Sequence, residues 1–350
     1  MKIKDLIRPE VLNLKPYVPA TKALDKVRLN ANESPYSVTQ SASRDSLNLY
    51  PDARPDQIRG MVSEYLDISS ENVVITRGST EAIDVAIRTF CIPNKDGILV
   101  FPPTFEMYKF YAEVQGVEMH SILLDQENDY SLNLREIEAF DQSQAKLIFI
   151  CSPSNPLGHK FSKESIFRVC EYFSDSGLVV LDGAYVEFDS DDIHKDILSR
   201  FENVIILRTL SKAFGLAGVR CGVLISSGEI CEYIERVIPP YSFSTPAVNA
   251  VIESLSDEGI KKSKRNIKTV IEDRQWLKTE LESLDEVIEV FPSYTNFILV
   301  KVIDSSAFCK KSQEAGFLLR DVSYQPLLEN CVRITVGSSE QNQKLIKGLK

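Results

Sequence analysis

From about residue 57 the chain alternates between two patterns of apolar and polar positions. Continuous apolar, β-branched runs recur at VVIT (73–76), ILVF (98–101), LIFIC (147–151), LVVLD (178–182), VIILR (204–208) and CGVLI (221–225). Segments with helical spacing fill most of the gaps, at 79–91, 104–115, 162–176 and 190–200. A run apolar at every position has both faces to bury, so short strands of this kind separated by helices predict a mainly parallel sheet covered on both sides. From 246 to about 284 the pattern is almost wholly helical, with many Lys/Glu pairs. FILVKV (297–302), a helix near 305–315 and VRITV (332–336) follow. The expected fold is α/β: a large domain, then a smaller α+β C-terminal domain reached through a long helix.

Composition changes this picture little. The 350 residues suit about two domains. Charged residues are 26% and hydrophobic ones 43%, which argues against disorder. The net charge of −10 disfavours nucleic acid as the main partner. The start, MKIKDLIRPE, is too charged for a signal peptide, and no apolar run approaches the roughly 18 residues of a membrane span. A soluble, cytoplasmic protein is expected. The seven cysteines include no CxxC pair and read as buried thiols of a reducing compartment. His120, His159 and His194 have no metal-like spacing, so no metal site is expected.

In an open α/β sheet ligands gather where strands end, and four such ends carry chemistry. In VVITRGSTEAIDVAI, Gly78 precedes Ser79 and Thr80 at a helix start, where backbone N–H groups and the helix N-terminus suit an anion. An ordinary helix cap accounts for the same residues. LIFICSPSNPLG makes a rigid polar loop in which the Asn155 amide can donate; plain turn chemistry is the alternative. In LVVLDGAYVEF, Asp182 ends an apolar run and needs a cationic partner, with Tyr185 three residues on; an ion-paired Asp and a core Tyr fit equally. In VIILRTLSKAFGLAGVR, Lys212 lies among Leu210, Ala213, Phe214 and Leu216, where burial lowers an amine's pKa; Arg220 follows.

An anion cup, a buried carboxylate, an amide, a phenol, an amine and a guanidinium thus fall on one sheet edge. Pyridoxal 5′-phosphate (PLP) calls for that set. Its aldehyde takes a lysine, its ring nitrogen a carboxylate, its ring oxygen hydrogen-bond donors and its phosphate the cup.

SPSNPLG, LDGAYVEF and TLSKAFGLAGVR, in this order and spacing, resemble the signatures of fold-type I PLP-dependent aminotransferases over nearly the whole chain. RPEVLNLKPYVP, LNANESPY, LNLYPD, PPTFEMY and SYTNF are similar to the branch of that family that acts on histidinol phosphate. Ser154, Leu157, Ala20 and Phe105 depart from the usual residues of these motifs. The resemblance implies a mainly parallel seven-stranded sheet. It also implies an N-terminal arm (1–30) packing on the small domain or a partner subunit, a large PLP-binding domain (31–258) and a small domain (259–350).

The resemblance also implies roles. Lys212 forms the Schiff base and acts as general base, and Asp182 pairs with the ring nitrogen. Tyr185 and Asn155 bond the ring oxygen, and Phe105 stacks on the ring. Gly78, Ser79, Thr80, Ser211 and Arg220 hold the phosphate. Tyr50 reaches it from the other subunit of a homodimer with shared sites. Arg333 takes the carboxylate of glutamate or 2-oxoglutarate, Arg320 and Tyr17 help with the substrate phosphate, and Asn32 and Glu33 read the imidazole. The expected reaction is L-histidinol phosphate plus 2-oxoglutarate to imidazole acetol phosphate and glutamate. Threonine-phosphate decarboxylation and aromatic transamination are the alternatives on this fold. A non-catalytic PLP-binding regulator is disfavoured by the intact Lys212 and Asp182. A nicotinamide dehydrogenase is disfavoured by the missing GxGxxG.

Overall fold

The computed structural model describes residues 2–19, 26–38 and 47–350. Among the described residues eleven strands run in chain order: β1 (Val73–Thr76), β2 (Gly97–Val100), β3 (Glu118–Ser121), β4 (Leu147–Cys151), β5 (Leu178–Asp182), β6 (Val204–Thr209), β7 (Gly222–Ile225), β8 (Val287–Val290), β9 (Phe297–Val302), β10 (Arg320–Asp321) and β11 (Cys331–Thr335). The first seven form one sheet in the order β1-β7-β6-β5-β4-β2-β3. Pairings from β3 through to β6 are parallel, and β7 runs antiparallel to both neighbours.

The apolar runs are continuous because both sheet faces are covered. In β5, Val179 and Leu181 enter one core cluster, while Leu178 and Val180 enter the other. β4 and β6 alternate in the same way. β3 was not legible as a strand. It lies at the sheet edge, with its outer residues exposed, and its sequence EMHS carries no apolar run.

β8 to β11 form a second, antiparallel sheet in the order β10-β11-β9-β8. Its core holds Leu277, Leu281, Ile298, Val300, Val332 and Ile334. The two sheets are linked by the 26-residue helix Asp257–Glu282, capped by Ser256 accepting from the Gly259 N–H, with Asp257 and Glu258 in its first turn. Partway along, Ser263 Oγ donates to the Ala213 carbonyl at 3.2 Å, which ties this helix to the turn that carries Lys212.

The start of the arm packs on the large sheet, where Leu6, Ile7 and Val11 are buried in its core. Arg8 N–H donates to the Thr89 carbonyl at 3.0 Å and fixes the chain there.

Candidate active site

The C-terminal ends of β1, β4, β5 and β6 open into a cleft of about 340 Å³ between the two sheets. Ser79, Phe105, Asn155, Asp182, Tyr185, Lys212, Arg320 and Arg333 line it. Residues from five strand ends, β2 supplying Phe105, and from the small sheet therefore meet in one space.

The cup forms at the start of the helix Ser79–Phe90. Gly78 is its N-cap, with φ 80° and ψ 164°, a conformation that side-chain-bearing residues rarely adopt. The Arg220 guanidinium lies against it: a Cβ on Gly78 would sit 2.4 Å from Nη2. Arg220 also reaches Ser211 Oγ at 3.4 Å and Thr80 Oγ1 at 3.5 Å. Gly222, which pairs with both Thr76 and Thr209, was missed in the sequence. A Cβ there would lie 2.3 Å from the Gly78 carbonyl carbon. Its lack of a side chain lets the cup close on the sheet. The result is a guanidinium, two hydroxyls and a helix N-terminus around one point, a set suited to a phosphate dianion.

Asp182 ends β5 and is almost fully buried. It accepts from Tyr108 Oη at 2.9 Å and from the Ala184 N–H at 3.1 Å. Burial pushes its carboxyl up to about 6, and these two donors and the Lys212 charge only partly oppose that. A carboxylate this deep, with no cation in direct contact, fits a protonated ring nitrogen. Tyr108 was also missed. Its ring stacks on Phe149 at 4.7 Å and meets Phe105 edge-on, so in the sequence it reads as one more core aromatic.

Lys212 faces the open cleft, and its ammonium lies 5.7 Å from the Tyr185 ring. Enclosure by protein lowers its pKa first, and the Arg333 and Arg220 charges lower it further, while Asp182 opposes them. Each effect favours the free amine that a nucleophile and base needs. Tyr185 packs edge-on against Phe297 of β9 at 5.3 Å. Asn155 accepts a short hydrogen bond from Arg333 through Oδ1, which leaves its NH₂ as the donor the cleft can use.

Behind this wall lies a buried ionic group that the sequence reading also passed over. Arg208 donates to Glu187 at 2.9 Å and to Asp192 at 3.0 Å, with His194 Nδ1 3.0 Å away. Gly183 makes room for the His194 ring: a Cβ there would meet Cε1 at 2.3 Å. The group braces the loop that carries Asp182 and Tyr185 against β6, which leads to Lys212. An arginine inside the apolar run VIILR was the available signal.

The arm residues stand apart from the cleft of their own chain. Tyr17, Asn32, Glu33 and Tyr50 are absent from its lining. The Tyr17 and Tyr50 rings both pack on Tyr241, at 6.1 and 5.1 Å. Asn32 is exposed, at φ 54°. Glu33 Oε1 takes Arg28 at 2.5 Å and the Tyr50 N–H at 2.6 Å, while its Oε2 is buried with no hydrogen-bond partner. Among the described residues there is no cluster suited to a metal ion.

A two-domain fold with this site at the strand ends defines an aminotransferase. The aminotransferase class I and II family matches residues 9–349, and the chain belongs to that family, which is PLP-dependent. Among its relatives is the histidinol-phosphate aminotransferase of Pseudoalteromonas atlantica, 37% identical over 97% of this chain and 93% of that one. The enzyme of the same name from Salmonella typhi is 36% identical over 100% of this chain and 97% of its own. Solved structures share the fold. The histidinol-phosphate aminotransferase from Clostridium acetobutylicum matches with a TM-score of 0.77 at 22% identity, covering 87% of this chain and 90% of that one. The L-threonine-O-3-phosphate decarboxylase from Porphyromonas gingivalis matches with a TM-score of 0.72 at 25% identity and the same coverage.

Proposed function

We propose that this aminotransferase moves the amino group of L-histidinol phosphate to 2-oxoglutarate, giving imidazole acetol phosphate and L-glutamate in two alternating half-reactions. The full-length relatives of that name support the reading. The observation that carries it is the pairing of Arg320 with Arg333, directly opposite each other on β10 and β11, both lining the cleft. Like charges across a strand pair are destabilising. An anion between them offsets that repulsion, and the phosphate of one substrate and the side-chain carboxylate of the other each supply one.

Bound PLP supplies an aldehyde for amines and a ring that accepts electrons from the substrate's Cα. The residues fit it. Gly78, Ser79, Thr80, Ser211 and Arg220 hold its phosphate. Asp182, kept in place by Tyr108, meets its ring nitrogen and keeps that nitrogen protonated. Tyr185 and the Asn155 amide would donate to its ring oxygen, and Phe105 would pack against the ring. Lys212 is the residue that would hold the cofactor at rest, and its amine, once free, would serve as the base for the substrate's Cα proton.

The same reading makes the protein a homodimer with shared sites. Tyr17, Val18, Val27, Leu29, Tyr36, Val38 and Tyr50 are all more than half exposed in the single chain. An apolar stretch of this extent marks an interface. A two-fold partner covers it and places Tyr50, and with it Tyr17, Asn32 and Glu33, at the other subunit's cleft. Sedimentation is expected to give twice the mass of one chain, and a monomer at micromolar concentration would contradict this. The division of the chain into 1–30, 31–258 and 259–350 belongs to the same proposal. Seven free thiols fit a reducing compartment, and we place the enzyme in the cytoplasm.

A panel of amino donors tests the substrate. L-histidinol phosphate is expected to give a kcat/KM at least about tenfold above aromatic amino acids, the margin one well-placed polar contact supplies. Release of carbon dioxide from L-threonine phosphate, with no turnover of histidinol phosphate, would favour the decarboxylase reading that the second solved structure suggests.

A further inference from the structure

The catalytic cleft shares a wall with a second cavity of about 240 Å³, whose lining includes Val100, Pro102, Met119 and Pro326. Phe105, Glu106 and Tyr324 line both spaces. At this wall Glu106 Oε2 accepts from Tyr324 Oη at 2.6 Å. Arg320 donates to the same hydroxyl at 3.3 Å and lies 3.9 Å from the Glu106 carboxylate. Glu106 comes from the large sheet's side and the other two from the small sheet, so the three side chains bridge the mouth of the site.

A charge inventory singles Glu106 out. Among the described residues lining the cleft, the carboxylates are Asp182 and Glu106. Asp182 is buried on Tyr108 and faces the cofactor. Glu106 is the other carboxylate that this chain's own lining offers, and it stands opposite Arg320, where an anion belongs. When an anion draws Arg320 away, Glu106 keeps the Tyr324 hydroxyl and has unfilled acceptor sites.

We propose that Glu106 is a specificity-determining residue: once the substrate phosphate engages Arg320, its carboxylate accepts a hydrogen bond from the imidazole N–H of the amino donor. This rests on the reading of L-histidinol phosphate as that donor. A purely structural Glu106, pinning the two domains together, would affect every substrate alike. A ring reader would not.

The test compares L-histidinol phosphate with 2-amino-3-phenylpropyl phosphate, which keeps the amine, the phosphate and a flat ring but lacks the N–H. The wild-type dimer loaded with PLP is expected to prefer the imidazole donor in kcat/KM. Glu106→Ala is expected to shrink that preference at least about tenfold, because a site built to pair a polar group discriminates strongly against its absence. Glu106→Gln, which keeps one acceptor oxygen, is expected to shrink it less. PLP retention after gel filtration shows that each variant is folded. An unchanged preference in Glu106→Ala, whatever the fall in absolute rate, overturns the proposal while leaving the histidinol phosphate reading intact. A wild-type enzyme inert towards histidinol phosphate overturns that reading and this proposal with it.

Discussion

Replacing Lys212 with Ala is expected to lower kcat/KM for both half-reactions at least about a thousandfold, within the range that a positioned acid–base group contributes. The loss is this large because one amine does two tasks. In the proposed mechanism it would hold the cofactor between turnovers and carry the Cα proton. Borohydride reduction separates the first task from the second. In the wild type it should fix PLP covalently to the peptide containing residue 212, and in Lys212→Ala no peptide should carry that added mass. The fold should not suffer. Lys212 faces the open cleft, and its removal also relieves repulsion with Arg333 and Arg220. Unchanged circular dichroism and a thermal midpoint no lower than that of the cofactor-free wild type are the expected controls. Covalent PLP elsewhere in the variant, or near-normal turnover, would remove Lys212 from the mechanism.

Asp182→Asn is expected to divide stability from function. Burial raises the folded carboxyl to about 6, against an ordinary value near 3.8. The sign follows from proton binding: between these values the folded chain holds a proton that the unfolded chain has released. The stability from this group is therefore complete below about pH 4 and is lost as the pH rises through about 6. Above that, the ionised buried carboxylate costs the cofactor-free protein about 3 kcal/mol, at about 1.4 kcal/mol per pKa unit. Asn carries no such cost and still meets Tyr108 and the Ala184 N–H. The cofactor-free variant should thus melt several degrees above the wild type at pH 8, with the gap closing at pH 4. Affinity for PLP should fall at least about tenfold, since the partner of the ring nitrogen has lost its charge. Equal melting temperatures at pH 8, or undiminished PLP affinity, would contradict the assignment.

The way Asp182 was legible shows how far the sequence reached. A carboxylate at the end of LVVLD is conspicuous because both faces of that strand are buried, and the runs of β1 and β4 to β7 could be read for the same reason. β3, β8 and β10 could not. They are edge or short strands whose polar residues face solvent, so no apolar run marks them. Within the site, residues that act through a functional group were readable: Lys212, Asn155, Tyr185, Arg220. Those that act through position were not. Gly222 matters for a side chain it lacks, and only the register with Thr76 and Thr209 shows it. Tyr108 matters because its hydroxyl happens to meet Asp182. Glu33 shows another limit, since its partner, Arg28, is one that spacing alone does not fix. Its place in a partner's site is a matter for the dimer.

The most direct test of the account follows the visible absorption of the purified, PLP-loaded protein as L-histidinol phosphate is added with no oxo acid present. The expected result is loss of the band of the resting enzyme in proportion to donor added, one equivalent per cleft, with its return on adding 2-oxoglutarate. A band that persists with histidinol phosphate, while L-glutamate discharges it, would contradict the substrate assignment. A protein that shows no such band after incubation with PLP would contradict the Lys212 site itself.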